Sequence, residues 1–269
     1  MKLCIAGAGG RMGQALLEAT LADAGLALAG ALEAAGNSLL GRDAGERFGR
    51  VTGVTVTADI SAGLTGADVL LDFTRPEGTL AHLAACAQAR VGAVVGTTGL
   101  AAEQKRVLEE RAKTIPIVFA SNMSVGVAVL TRLVELGAAM LGEAYDVEIL
   151  EMHHRHKVDA PSGTALQLGA AAARGLGRDL QRDGVFTRHG VTGERKPGTI
   201  GFAALRGGDV VGDHAVIFAG AGERVELAHK AASRMNFAQG ALRAARFVFA
   251  QRAQGATGLF DMRDVLGMR

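Results

Sequence analysis

The sequence has no tryptophan and one tyrosine, Tyr145, among its 269 residues. Single-stranded nucleic acid is held by stacking on such rings, and a formal net charge of only +2 leaves little for a broad phosphate footprint. Nucleic acid is therefore not an expected partner. Cysteine is nearly absent as well. Cys4 falls in an apolar strand pattern and Cys86 in a helical one, so they read as buried thiols rather than a disulfide or a metal pair, in keeping with a reducing cytoplasm. No unbroken apolar run approaches the roughly 18 residues that span a bilayer. Met1-Lys2 runs straight into Leu3-Cys4-Ile5-Ala6, leaving no room for the regions of a signal peptide. A soluble, cytoplasmic protein without a membrane partner is the expectation. What the chain has in quantity is glycine, 38 residues, and apolar residues, 49%, enough to bury the core of one large domain or, as we expect, two smaller ones.

The glycines are placed with purpose at the start. A short apolar strand over residues 3–6 is followed at once by Gly7-Ala8-Gly9-Gly10-Arg11-Met12-Gly13 and then by the helical run Gln14-Ala-Leu-Leu-Glu-Ala-Thr. Strand, glycine turn and helix are the context of a dinucleotide-binding fingerprint, in which the backbone approaches a pyrophosphate and the helix end supplies N–H donors. The match is imperfect, because the third glycine of G-x-G-x-x-G falls on Met12 and Gly13 lies one residue late. A second strand over 26–32 ends at Glu33, about 20 residues on, where an acid bonds ribose hydroxyls. An ordinary glycine turn and a surface acid are the plain alternatives.

The alternation continues through strands at 54–56, 68–73, 93–95 and 115–120, with helices over 78–90 and 102–113, and a loop over 34–50 that looks mobile. Repeated β–α units imply a parallel sheet with right-handed crossovers. Asp72-Phe-Thr-Arg-Pro-Glu-Gly78, Gly96-Thr97-Thr98-Gly99 and Ser121-Asn122-Met123-Ser-Val-Gly126 then fall at the carboxyl ends of strands, where such sheets bind ligands. A helix over 127–141 leads onward.

The densest chemistry lies in Glu151-Met-His153-His154-Arg-His156-Lys157-Val-Asp159-Ala-Pro161-Ser162-Gly163-Thr164. Residues 145–151 alternate apolar and polar like a half-buried strand, with Val147 and Ile149 on one face, and a helix begins near Thr164 with Ser162 or Asp159 as its cap. A cationic loop facing a helix N-terminus suits a carboxylate or phosphate, and histidine with a crowded lysine can move a proton near neutral pH. A solvated basic loop or a metal site at His153, His154 and His156 are the competing readings, the latter opposed by the way adjacent strand residues point to opposite faces. Beyond it, 176–198 reads as a long functional or flexible loop. Strands over 199–205, 210–219 and 223–230 are joined by glycine turns that read as hairpins, completing a four-stranded sheet with 145–152. Arg234–Ala253 is one helix packing back on the first half, and residues 255–269 have no assignable role.

Together these motifs resemble the dihydrodipicolinate reductases, also called 4-hydroxy-tetrahydrodipicolinate reductases, of bacterial diaminopimelate and lysine biosynthesis, over nearly the whole chain. The resemblance implies an α/β protein: a Rossmann-type parallel-sheet domain, 1–124 completed by 234–269, and a second α+β substrate and oligomerisation domain, 125–233, in a homotetramer. It implies NADH- or NADPH-dependent reduction of a cyclic dicarboxylate, with no metal. By resemblance, His153 is the general acid and base and Lys157 a proton donor. His154, Gly163 and Thr164 take the substrate carboxylate, while Gly7, Ala8, Gly9, Gly10, Arg11, Met12, Glu33, Gly96, Thr97, Thr98, Ala120, Ser121, Asn122 and Met123 contact the cofactor. Relatives that use NADPH well often carry Arg just after the acid of the second strand. Here Ala34 and Ala35 stand there, and NADH is the expected preference. Rival readings are a different Rossmann reductase acting on an amino acid or imine, and a non-catalytic nucleotide-sensing protein.

Overall fold

The computed structural model describes residues 1–268. The chain forms two compact units, Met1–Val125 together with the segment from Arg234 onward, and Gly126–Ser233.

The first unit is a seven-stranded parallel sheet. In chain order it runs β1 (Lys2–Ala6), α1 (Arg11–Ala22), β2 (Ala27–Leu32), β3 (Val56–Thr57), α2 (Ile60–Leu64), β4 (Val69–Asp72), α3 (Pro76–Ala89), β5 (Gly92–Val95), α4 (Ala102–Ala112) and β6 (Pro116–Phe119). Strand order is β12-β6-β5-β4-β1-β2-β3, β12 being described below, so the direction of winding reverses between β1 and β4. The strands are short apolar runs buried on both faces, as crossover helices require: Leu3, Cys4, Ile5, Val69, Leu70, Leu71, Ala93, Val94 and Val95 are all fully buried. Burial pushes the Cys4 thiol up to about 12, and Cys86 is raised for the same reason. The expected strand at 54–56 shrinks to β3. The loop before it is organised by Asp43, which accepts N–H bonds from Gly45, Thr52 and Gly53 and a hydroxyl bond from Thr52.

The second unit begins with α5 (Val125–Leu141), followed by β7 (Asp146–His153), α6 (Gly163–Gly175), α7 (Leu180–Asp183), β8 (Gly184–Val185), β9 (Ile200–Arg206), β10 (Gly212–Ala219) and β11 (Arg224–Ala231). Its five-stranded sheet has the order β11-β10-β7-β9-β8. One expected hairpin is therefore absent. β9 pairs parallel with β7, and β10 pairs antiparallel with β7 on its other side. The glycine-rich connection 207–211 wraps over the end of β7, taking N–H bonds from His154 to the Val210 carbonyl and from Arg155 to the Gly208 carbonyl. Residues on such a path reach about 3.3 Å each, enough to cross two strand spacings. Of the expected hairpins, the one between β10 and β11 forms.

Burial alternates along β7, with Val147, Ile149, Glu151 and His153 on the covered face. Val147 and Ile149 pack with Leu130, Val134, Ala165, Leu168, Ala172 and Phe218 in the core of this unit. The stretch 176–198 is not an open loop. It contains α7 and β8, Phe186 stacks on Phe202 at 4.9 Å, and Arg195 bonds Asp146 and Glu148 with the carbonyls of Val147 and Thr199. Counting unbroken apolar runs also missed one feature: Val125–Ala144, despite Arg132 and Glu135, is by length and composition apolar enough to cross a membrane. Its Leu130, Val134 and Ala138 belong to the core just described, whereas Val129, Leu133, Leu136 and Met140 are exposed.

The chain then contributes α8 (Met235–Ala253), β12 (Gly258–Phe260) and α9 (Met262–Leu266) to the first unit. Ala238, Ala241, Ala244, Ala245 and Val248 are buried, and a Cβ on Gly92 would lie 2.3 Å from the Val248 side chain, so α8 lies tight on the sheet. The unassigned tail has a structural role: β12 adds the seventh strand, beside β6.

Candidate active site

The glycine turn of the first unit is built to leave backbone open. Gly7 has φ +68°, a left-handed conformation that favours glycine. A Cβ on Gly13 would stand 2.0 Å from the Gly7 carbonyl oxygen, and one on Gly9 would meet Leu39 at 2.8 Å and Glu33 at 3.0 Å. Gly13 is thus the close-packing glycine, one residue later than the fingerprint spacing puts it. α1 starts at Arg11 with Gly10 as its cap, and a glycine brings no side chain to bond the helix end. Glu33 directs one carboxylate oxygen to the Gly9 N–H at 2.7 Å and the other to the Ala34 N–H at 2.8 Å. Lone pairs remain for hydroxyl donors. A cavity of about 380 Å³ beside the turn is lined by Ala8, Gln14, Leu39, Arg42 and Glu46 among others. These features fit a dinucleotide.

Next to the turn, the end of β4 carries a polar cluster that sequence reasoning only half saw. Asp72 is fully buried and accepts from Thr74 N–H at 2.9 Å and Thr74 hydroxyl at 2.6 Å, while His82 Nδ1 lies 2.8 Å from its other oxygen. Burial alone would raise the Asp72 carboxyl, but His82 and Thr74 outweigh it and hold the group below its ordinary value. Thr97 and Thr79 share a buried hydroxyl bond of 2.7 Å, and Gly96 sits against the Phe73 ring, where a Cβ would come within 2.1 Å. Ala120 donates its N–H to Val95, Asn122 accepts from Ser124, and Met123 is buried with its carbonyl where a Cβ on Gly240 would be 1.7 Å away. Gly7–Met12, Glu33, Gly96–Thr98 and Ala120–Met123 thus all follow strands β1, β2, β5 and β6 at their carboxyl ends.

In the second unit the covered face of β7 changes from apolar to ionic along its length. Glu151 is 1% exposed and receives four donors: Arg206 at 2.8 and 2.9 Å, the Ser162 N–H at 3.0 Å and His153 Nδ1 at 2.6 Å. Burial would raise the Glu151 carboxyl, but these partners together lower it. Ser162, rather than Asp159, caps α6, accepting from the Ala165 N–H, and its hydroxyl lies 3.0 Å from His214 Nε2. The His214 and His153 rings meet edge to face at 5.0 Å. Burial first, and then the neighbouring His153, depress His214 to about 4. Lys157 pairs with Asp159 at 2.8 Å, and its backbone N–H reaches the His154 carbonyl. A Cβ on Gly163, the first residue of α6, would meet nothing within 4 Å. Among the described residues, no group of three His, Cys, Asp or Glu side chains is arranged to hold a metal ion.

Glu151, Arg206 and His214 carry no role in the reading of the sequence, and Ser162 only that of a candidate helix cap, which the structure bears out. The signal for Glu151 was available, because parity from Val147 and Ile149 places 151 and 153 on the same face. Arg206 and His214 depend on pairing partners that no local pattern reveals.

Family descriptions of "Dihydrodipicolinate reductase, N-terminus" and "Dihydrodipicolinate reductase, C-terminus" match residues 1–123 and 126–266. The chain is 60% identical to the 4-hydroxy-tetrahydrodipicolinate reductase of Burkholderia multivorans and 57% identical to that of Cupriavidus taiwanensis, each over the whole of both chains. Among solved structures it resembles a dipicolinate-bound dihydrodipicolinate reductase from Paenisporosarcina sp. TG-14, with TM-score 0.74, 23% identity and 97% of each chain covered. A diaminopimelate dehydrogenase of C. glutamicum matches with TM-score 0.54 at 14% identity, covering 97% of this chain and 92% of that one, a likeness of fold alone.

Proposed function

The chain belongs to the dihydrodipicolinate reductase family, and from that premise we propose how its residues divide the work. It is an NAD(P)H-dependent oxidoreductase that reduces 4-hydroxy-tetrahydrodipicolinate. We assign it to diaminopimelate and lysine biosynthesis in the cytoplasm.

In this reading Gly7, Ala8, Gly9, Gly10, Arg11 and Met12 cradle the pyrophosphate, and Glu33 takes the ribose hydroxyls. Gly96, Thr97, Thr98, Ala120, Ser121, Asn122 and Met123 complete the cofactor site. When bound, the reduced nicotinamide supplies a hydride to the conjugated ring. His154, Gly163 and Thr164 hold a substrate carboxylate at the end of α6, where the helix dipole favours an anion. Lys157 donates a proton, and His153 serves as general acid and base. No metal takes part.

The observation that carries this reading is the run of β7 into α6. The strand ends in His153, and the loop it feeds delivers His154 and Lys157 before reaching a helix start capped by Ser162 and left uncrowded at Gly163. Proton donors and an anion-binding helix end thereby belong to one unit.

NADH is the preferred reductant. Ala34 and Ala35 are exposed after Glu33, and Arg42, a cation that could serve a 2′-phosphate instead, is engaged in two bonds to Glu46 at 2.8 and 2.6 Å. The enzyme works as a homotetramer. Support comes from the outer face of the second unit's sheet, where Leu150 and Leu205 are 37% and 47% exposed, and from the exposed apolar stripe of α5.

Replacing Lys157 by alanine tests the assignment. NADH binding should survive, while turnover of 4-hydroxy-tetrahydrodipicolinate, followed by loss of NADH absorbance, falls about 10²–10⁴-fold. Unchanged turnover would remove Lys157 from the mechanism.

A further inference from the structure

Glu151 is buried on the covered face of a strand that ends two residues later in His153, and the sheet register explains its company. Arg206 on β9 is the register partner of His153, and His214 on β10 is the register partner of Glu151. Both neighbours therefore project onto the face that carries the two β7 residues. Each carboxylate oxygen of Glu151 takes two donors: Oε1 from Arg206 Nη2 and the Ser162 N–H, Oε2 from Arg206 Nη1 and His153 Nδ1.

We propose that Glu151 is the positioning residue for His153, held ionised by Arg206 so that the imidazole keeps its Nδ1 proton on the carboxylate and works through Nε2. The inference rests on the reading of His153 as the acid and base. A carboxylate at one ring nitrogen fixes the tautomer and orientation and stabilises the imidazolium, without itself taking the proton. Two guanidinium bonds and a backbone N–H keep the negative charge on Glu151, so it accepts a hydrogen bond and does not compete for the proton.

The far side of the ring agrees. His153 Nε2 lies where a Cβ on Gly212 would be 3.0 Å away, so the β10 residue beside it brings no side chain over that nitrogen. The other titratable or charged groups around the pair are His214 on β10, with His229 beyond it on β11, and Lys157 with Asp159 in the loop. His214 stays neutral down to about pH 4, so Glu151 and Arg206 set the charge that faces His153 from the sheet. Because Ser162 caps α6 and also donates to Glu151, one carboxylate orients the acid and anchors the helix start assigned to the substrate carboxylate.

The test compares Glu151→Gln, His153→Asn and the double variant, each checked for fold by circular dichroism and for NADH affinity. Glu151→Gln should leave the NADH Kd and the KM for 4-hydroxy-tetrahydrodipicolinate within about threefold and lower kcat at least 10-fold. The descending limb of kcat against pH should move at least one unit toward acid, since a carboxylate favours the charged form of its neighbour. In the His153→Asn background the same change should cost little more, because the group it positions is gone. An unshifted pH limb, or a full additional loss in the double variant, overturns the proposal and leaves His153 as the acid. Wild-type turnover in His153→Asn overturns the role of His153 and this inference with it. If Glu151→Gln does not fold, Glu151→Asp is read instead: its withdrawn carboxylate should move the limb in the same direction by less, and an unmoved limb overturns the proposal.

Discussion

Glu33 accepts the Gly9 N–H at 2.7 Å, which makes the acid after β2 and the middle of the glycine turn one hydrogen-bonded piece. In the proposed cofactor site, the carboxylate is thereby held where a 2′-phosphate would meet a like charge. Ala34→Arg should supply the missing cation. Charge-assisted hydrogen bonds contribute about 1.5–3 kcal/mol, so kcat/KM with NADPH should rise roughly 10- to 100-fold relative to NADH. Steady-state kinetics with both nucleotides measures the ratio, and no change would separate cofactor choice from this position.

Gly13→Ala addresses the same turn from the helix side. Its Cβ would stand 2.0 Å from the Gly7 carbonyl oxygen, a backbone atom that no side-chain rotation can move. The helix must shift away from the turn, at a cost of about 1–3 kcal/mol as in other overpacked sites. Both the thermal midpoint and NADH affinity should fall. Retention of wild-type NADH affinity, read by fluorescence titration, would mean that the turn tolerates the displacement.

The fate of these two glycines indicates what local sequence can reveal. The β–α alternation, the turn at Gly7–Gly13 and the basic run from His153 are all encoded in neighbouring residues, so period and composition expose them. The placement of β9 and β10 on opposite sides of β7 is not, because hairpin rules judge a turn by its own residues. Here the turn spends its backbone bonds on His153, His154 and Arg155 instead of on itself. Arg206 was overlooked for the same reason: its partner is 55 residues away and becomes adjacent only through parallel pairing. β12 escaped notice because a three-residue strand carries too short a pattern to read.

Gly212→Ala tests access to His153. The added methyl would lie 3.0 Å from Nε2 and 3.3 Å from Cδ2 of the ring, so either the imidazole tilts or the strand gives way. With Nδ1 tied to Glu151, tilting costs that bond. The expected result is a fall of kcat of about tenfold or more, with NADH affinity unchanged, since a misplacement of an ångström at a reacting group costs up to about 10²-fold. A normal kcat would show that Nε2 is not the nitrogen in use.

His214 predicts a specific dependence of stability on pH. The ring is 4% exposed, bonded through Nε2 to Ser162, and among the described residues its Nδ1 has no hydrogen-bond partner, an arrangement that burial makes costly to charge. Its ordinary value is 6.5, and in the fold it is lowered to about 4. Between those values the unfolded chain binds the proton and the folded chain does not, so stability falls as pH drops from about 6.5 to about 4 and levels off below. At about 1.4 kcal/mol per unit the full span amounts to roughly 3 kcal/mol. Asp72 and Glu151, both held below their ordinary values of 3.8 and 4.5, act in a lower window: their contribution is complete above about pH 5 and is lost as pH falls from there through their folded values. The two effects are therefore separable by urea unfolding at a series of pH values. His214→Gln removes the titrating ring and should flatten the slope between about pH 6.5 and pH 5 while leaving the carboxylate loss at lower pH. A variant that kept the upper slope would trace it to another group.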